Sequence, residues 1–140
     1  MNDFEFYLKE GAVKKRKPDM ELAKSLINDA NERFGKISKL DARVFSKIIF
    51  ENVYDALRSI LDALLAIDGY KSYSHEASIA YLKKYGFEGS LIAELDNFRL
   101  IRNSSKYYGK DISSEDSCDI IDFYKNHSGK IIQLIRNKLK

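Results

Sequence analysis

The chain has 140 residues, of which 24 are lysine or arginine and 21 aspartate or glutamate, giving a formal net charge of +3. A hydrophobic fraction of 44% and a charged fraction of 32% are typical of a folded globular protein and exclude a disordered one. The length allows one domain with its own core, residues 1–140, and is too short for two domains of ordinary size.

The cysteine and charge patterns limit the cellular setting. The lone Cys118 excludes an intrachain disulfide, and no Cys/His cluster offers zinc ligands, so we expect no metal site and no cofactor. Asp3 and Glu5 stand where a secretory signal carries basic residues, and charges interrupt every apolar stretch before it reaches bilayer length. We therefore expect a cytoplasmic protein with no membrane span.

The first half of the chain shows helical periodicity without strand-like alternation. A short helix is expected over residues 3–10. The basic connection at residues 14–17 follows, and then Pro18 and Asp19 open a second helix that we expect to end at Gly35.

Residues 41–68 form the longest periodic segment, and its apolar residues cover a wide arc. Such a face needs more than one neighbour, so this helix is either the centre of a bundle or also part of a subunit interface. Gly69 is expected to end it, and Ser74 is the natural N-cap of the next helix, which runs toward Gly86.

Two more helices complete the chain. One buries Leu91, Leu95 and Phe98 and stops at Gly109, and the last begins near Ser113 and runs to the end of the chain. The sequence therefore predicts an all-α protein, an up-and-down bundle of four to five main helices plus the short N-terminal helix.

A row of polar residues on the fifth of these helices is the strongest functional signal. Arg99, Arg102, Asn103 and Lys106 recur at helical spacing and are followed by a Tyr-Tyr-Gly sequence at residues 107–109. Like charges at this spacing repel unless carboxylates or an anion lie opposite. We therefore hypothesise that these cations lack internal counterions and bind an external anion.

From residue 19 onward the chain resembles the HEPN family of small all-α domains. The resemblance is carried by residues 54–58 (Tyr-Asp-Ala-Leu-Arg), by the Ser-His helix start at residues 74–82, and by Arg102-Asn103 with residues 107–109. It implies a homodimeric bundle with a nucleotide- or RNA-binding role, and a minimal nucleotidyltransferase antitoxin as a further partner. The phosphate-binding residues would then be Arg99, Arg102, Asn103, Lys106 and Tyr108.

The same resemblance implies an alternative, a metal-independent endoribonuclease toxin. In such families an arginine is followed by four to six residues and then a histidine. Here Arg102 and Asn103 match the start, but Tyr107, Tyr108 and Gly109 occupy the places where the histidine would fall. The catalytic residues would be Arg102, Asn103 and Tyr107, and we expect weak cleavage or none because a tyrosine in water, with a pKa of about 10, is a poor general base at neutral pH.

Structural interpretations compete with each functional one. Arg102 could form an ion pair with Asp55 or Asp62, which share a face of the long helix. The two tyrosines at 107 and 108 could be core or interface aromatics. His75, which follows an N-cap, could be a structural residue with a lowered pKa. Residues 14–17 could be a solvated connector, unless they face the same groove as Arg102. The bundle would then be a scaffold for protein–protein interaction.

Overall fold

The computed structural model describes residues 1–140, which form six α-helices, one 3₁₀ helix and two short strands. The predominantly helical character predicted from the sequence is confirmed. In chain order the elements are α1 (Phe4–Lys9), β1 (Val13–Lys15), α2 (Met20–Ile37), α3 (Ser46–Asp68), β2 (Tyr70–Ser72), α4 (His75–Ala80), the 3₁₀ helix (Tyr81–Tyr85), α5 (Gly89–Tyr108) and α6 (Ser114–Lys138).

The expectation that strands are absent is wrong at one place. β1 and β2 pair as a two-stranded antiparallel ribbon, with Lys14 opposite Lys71. Three residues per strand are too few to show a two-residue alternation, and the partners are far apart in the sequence. The helices that bracket the strands therefore bring them together.

The helix α3 lies at the centre of the bundle. Twelve of its residues are buried, and α2 and α6 pack along it. The α6 helix runs in the same direction as α3, because Ser117 Oγ donates to Ser46 O (2.5 Å) at one end and Lys138 pairs with Asp68 (3.1 Å) at the other. The broad apolar face of α3 is thus covered within the chain. None of the helices combines the length and hydropathy needed to cross a lipid bilayer.

Most helix ends lie where capping residues predicted them. The side chains of Asp19, Ser74 and Ser113 each accept a backbone N–H of the first helical turn. Gly69, which ends α3, has φ 86°, and a Cβ there would lie 2.8 Å from the Arg16 carbonyl oxygen. This position therefore requires glycine, both for its backbone conformation and for the close approach of the chain.

Three predicted boundaries differ from the observed ones. The second helix continues through Gly35 to Ile37, the long helix begins at Ser46 rather than at residue 41, and the helix after Ser74 tightens into a 3₁₀ helix from Tyr81. At the start of the long helix the cause is local, because the Asp41 side chain accepts the Arg43 backbone N–H and residues 41–45 form a turn.

One partly buried carboxylate, that of Asp68, connects the C-terminal ends of α3 and α6 to the 3₁₀ helix. Asp68 accepts hydrogen bonds from Tyr81 Oη (2.6 Å) and Tyr85 Oη and pairs with Lys138 Nζ (3.1 Å). Burial alone would raise the pKa of Asp68, but these three donors stabilise its charged form and hold that pKa below its ordinary value.

Candidate functional site

The α5 helix places the predicted polar row against α3 and α4, and it gives Arg99 internal counterions. Arg99 Nε donates to Asp96 Oδ1 (2.7 Å), and Nη1 lies 3.4 Å from Glu76 Oε1. Burial would lower the pKa of Arg99, but both carboxylates outweigh it and raise that pKa. The hypothesis that Arg99 lacks an internal counterion is therefore wrong, because a residue of its own helix and one of α4 neutralise it.

Arg102 is held more loosely. Its Nη2 lies 3.5 Å from Asp55 Oδ1, a distance at which Asp55 Oδ1 still lacks a hydrogen-bond partner. The guanidinium also lies 5.3 Å from the centre of the Tyr54 ring, within the range of a cation–π contact. Of the two carboxylates expected to pair with Arg102, the fold selects Asp55 and not Asp62.

The remaining residues of the row face solvent or lack partners. Lys106 is exposed and has no carboxylate within 4.0 Å, and Asn103 is partly buried without a side-chain hydrogen bond. Tyr107 and Tyr108 are 68% and 79% exposed, so the interpretation of them as core aromatics is wrong. Neither hydroxyl contacts a group that would accept its proton.

A second arginine, on α3, meets this row from the other side. Arg58 is partly buried, yet it forms neither an ion pair nor a side-chain hydrogen bond. It lies one turn after Tyr54 and Asp55, so its guanidinium shares their face of the helix. Arg58 is thus a cation without an internal counterion, but it lies on α3 and not in the row on α5 where the sequence led us to expect such cations.

The Tyr54 hydroxyl is the least satisfied polar group in this region. The residue is 1% exposed, and its Oη has no hydrogen-bond partner in the protein. Burial raises the pKa of Tyr54 to about 12, although Arg58 and Arg102 oppose that rise. A buried hydroxyl without a partner costs about 1–3 kcal/mol, so its presence calls for a ligand or another compensation.

His75, the first residue of α4, faces the same group of side chains. Its ring lies 6.1 Å from the Tyr54 ring. Burial and then Arg58, Arg102 and Arg99 lower the pKa of His75 to about 4, and Asp55 opposes them. The predicted direction of the shift is confirmed, but its causes are burial and three arginines from α3 and α5.

We call these side chains the arginine cluster: Tyr54, Asp55, Arg58, His75 and Arg102. The larger cavities of the molecule lie elsewhere, one of them about 350 Å³ in volume and bordered by Phe87, Glu94 and His127. The cluster is therefore a shallow polar surface, which suits a ligand group on an extended or exposed chain better than an enclosed apolar molecule.

The sequence identified Arg102 as a site residue and Asp55 as its possible partner, but it did not assign Tyr54, Arg58 or His75 to the site. The sequence shows that Tyr54 and Arg58 are four residues apart and that Ser74 can cap the helix that starts with His75. It does not show that these side chains meet Arg102, because that depends on how α4 packs between α3 and α5. A comparison with protein-family models, curated proteins and solved structures finds no match for this chain.

Proposed function

We propose that the protein is a HEPN-like domain that binds a phosphate group of a nucleotide or RNA at the arginine cluster, with little or no turnover. The observation that carries the proposal is Arg58, a partly buried guanidinium without a counterion, beside the buried and unpartnered hydroxyl of Tyr54. A phosphate oxygen would pair with the Arg58 guanidinium, and it would reach the buried hydroxyl once the loosely held Arg102 turns away from the Tyr54 ring.

The chemistry of the cluster fits a phosphate. Guanidinium groups present two parallel N–H donors to phosphate oxygens and remain charged at any physiological pH. Arg102, whose contact with Asp55 is loose, can turn part of its donor fork outward, and Lys106 stands unpaired one turn further along α5. A ligand would thus meet three cations, two of which lack a carboxylate within 4.0 Å.

The carboxylates near the cluster set a limit on its charge. Asp55 faces Arg102. Asp62, one turn beyond Arg58, interacts electrostatically with Arg58 without forming an ion pair. Burial raises the pKa of Asp62 above its ordinary value, and Arg58 opposes the rise. With Arg99 and its two carboxylates included, four cations face four carboxylates, so the attraction for an anion comes from Arg58 and Lys106, which have no carboxylate within 4.0 Å, and not from a net charge.

The same geometry favours binding over catalysis. A general base works best with a pKa near the operating pH, and the pKa of His75, about 4, lies well below it. Tyr107, the other candidate base, is exposed and has no neighbour that would take its proton. Missing acid–base assistance costs about 100- to 10,000-fold in rate, so the ribonuclease alternative predicts slow cleavage at most.

A homodimer belongs to the same proposal. Its support is a small apolar patch at the start of α3, where Val44, Phe45 and Ile48 are exposed. Light scattering at micromolar concentration tests it, and a monomer there would contradict it.

The binding test uses fluorescence anisotropy with a labelled ribonucleotide and a labelled short RNA. We expect Arg58→Gln and Arg102→Gln each to weaken binding about tenfold or more, because hydrogen bonds to charged groups contribute about 1.5–3 kcal/mol. Arg43→Gln and Arg136→Gln are the matched controls, since both residues are exposed and carry the same charge.

Equal loss in all four variants would show a nonspecific charge effect, and no binding by the wild-type protein would favour the scaffold function. The same samples on a denaturing gel report cleavage. Robust cleavage that disappears in Arg102→Ala would establish the ribonuclease in place of the binding protein.

A further inference from the structure

A second basic surface surrounds the two-stranded ribbon, on cations that play no part in the arginine cluster. We call it the basic ribbon, and its charged residues are Lys14, Lys15, Arg16, Lys17 and Lys71. All five are exposed, and none forms a salt bridge, although ten salt bridges occur elsewhere in the molecule.

Three of the five cations lie around one exposed aromatic ring. Tyr73 is 60% exposed, and the Nζ atoms of Lys14 and Lys71 lie 5.9 Å and 6.0 Å from its ring centre. Arg16 Nη2 donates to Tyr73 Oη (3.2 Å). Lys14 and Lys71 are also direct cross-strand partners, an arrangement of like charges that destabilises a sheet unless an anion lies between them.

The fold holds this surface rigidly. Val13, between the basic residues of β1 and the core, is buried, and the Tyr70 ring packs edge-on against Phe4 at 5.2 Å. Backbone hydrogen bonds from Arg16 N to Gly69 O (2.8 Å) and from Tyr73 N to Ala12 O (2.8 Å) extend the ribbon at both ends. The cations are therefore presented on a fixed backbone, which reduces the entropy lost on binding.

A cavity opens beside the ribbon between these cations and an apolar wall. It has a volume of about 330 Å³ and is lined by Arg16, Lys17 and Lys71 at its rim and by Leu22, Ala66 and Tyr70 within. Asp19 also lines it, but its carboxylate accepts the Leu22 amide as the N-cap of α2. A planar ring with an attached phosphate would fit both the apolar wall and the basic rim.

We propose that the basic ribbon binds single-stranded nucleic acid, with one base stacked on Tyr73, a neighbouring base in the cavity, and the phosphates on the lysines and Arg16. Clustered cations with an accessible aromatic ring are the combination that such strands require. The surface is separate from the arginine cluster, and the proposal does not depend on the function proposed above.

The shape of the basic surface favours an extended strand over an anionic membrane. Asp62 of α3 lies within the electrostatic reach of both Lys71 on the ribbon and Arg58 of the arginine cluster. The ribbon and the arginine cluster therefore approach each other around Asp62, within reach of one extended strand. Tyr73 lies directly after β2, and Leu22 is the one exposed aliphatic residue that lines the cavity beside the ribbon, which is too little apolar surface to enter a bilayer.

The test is fluorescence anisotropy with a labelled oligouridylate of about 10 nucleotides, within the usual site size of such surfaces. Each phosphate contact to a single strand contributes about 0.7 to the slope of log K against log salt concentration. We expect Lys14→Gln with Lys71→Gln to reduce that slope by about 1.4. The control, Lys24→Gln with Lys36→Gln on α2, removes the same charge from exposed lysines and should leave the slope unchanged.

The ring is tested separately. Tyr73→Leu should weaken binding about 5- to 150-fold, the range for loss of one stacked base, whereas Tyr73→Phe should retain binding because it keeps the ring. Circular dichroism verifies the fold of each variant. Repeating the series in a protein that carries Arg58→Gln and Arg102→Gln separates this proposal from the previous one, since the ribbon variants should lose the same affinity there.

Three results would overturn the proposal. The ribbon double variant could match its α2 control, Tyr73→Leu could bind as the wild type does, or the protein could bind phosphatidylserine vesicles through Lys14 and Lys71 while ignoring the oligouridylate. The last result would identify the ribbon as a membrane-surface contact.

Discussion

Replacing Tyr54 by phenylalanine should make the protein more stable and a weaker phosphate binder. The Tyr54 hydroxyl is buried without a protein partner, so the folded state carries the desolvation cost of that group. Mutational data put this cost at about 1–3 kcal/mol. The phenylalanine ring keeps the packing and the contact with the Arg102 guanidinium, which lies 5.3 Å from the ring centre.

We expect the free energy of unfolding to rise by about 1 kcal/mol, which for a domain of this size raises Tm by about 4 °C. Urea titration followed by circular dichroism gives the free energy, and a thermal scan gives Tm. Affinity for the labelled ribonucleotide should fall about tenfold, because a hydrogen bond to a charged phosphate oxygen is lost.

Tyr124 provides the matched control. It is also buried, and burial likewise raises its pKa to about 12, but its hydroxyl donates to Asn31 Oδ1 at 2.8 Å. Tyr124→Phe should therefore lower the free energy of unfolding by about 1 kcal/mol and leave phosphate affinity unchanged. If Tyr54→Phe destabilised the protein as much as Tyr124→Phe does, the Tyr54 hydroxyl would be satisfied in the free protein, and the argument for a ligand there would fail.

Three further predictions concern charged groups. Arg99→Gln should lower the free energy of unfolding by about 1.5–3 kcal/mol in urea titration, since Asp96 and Glu76 both lose their cation. Unchanged stability with lost ligand binding would instead restore Arg99 as a binding residue. NMR titration should find His75 neutral down to about pH 5 in the free protein, because its pKa is about 4. Saturating phosphate should raise that pKa, because the bound anion offsets the charge of the arginines. If phosphate leaves the pKa of His75 unchanged, the anion binds elsewhere. The pKa of Asp68 in the folded protein lies below its ordinary value, so Asp68 stabilises the fold above its unfolded-state pKa and loses that contribution as the pH falls through its folded-state pKa. Asp68→Asn should therefore remove this contribution to the loss of stability in acid. An unchanged pH dependence of the free energy of unfolding in the variant would contradict the prediction.

The helices could be predicted because the signals that define them are local. The N-caps at Asp19, Ser74 and Ser113 and the glycine at Gly69 act within a few residues of their own position, and helical periodicity identifies the buried face of each segment. The bundle follows from these amphipathic faces. The two-stranded ribbon could not be predicted in this way, since the strands β1 and β2 pair across more than fifty residues and each is only three residues long.

The sequence identified only part of the candidate site. The row on α5 indicated cations at helical spacing, but spacing within one helix does not reveal which carboxylates lie opposite. Asp96 and Glu76 neutralise Arg99, whereas Arg58, which no row singled out, is left without a partner. The sequence by itself determined the helical segments, their buried faces and the supply of basic residues, because these depend on neighbours along the chain. Only the tertiary structure decided which cations remain free, because pairing between charges depends on distances of a few ångströms between separate elements.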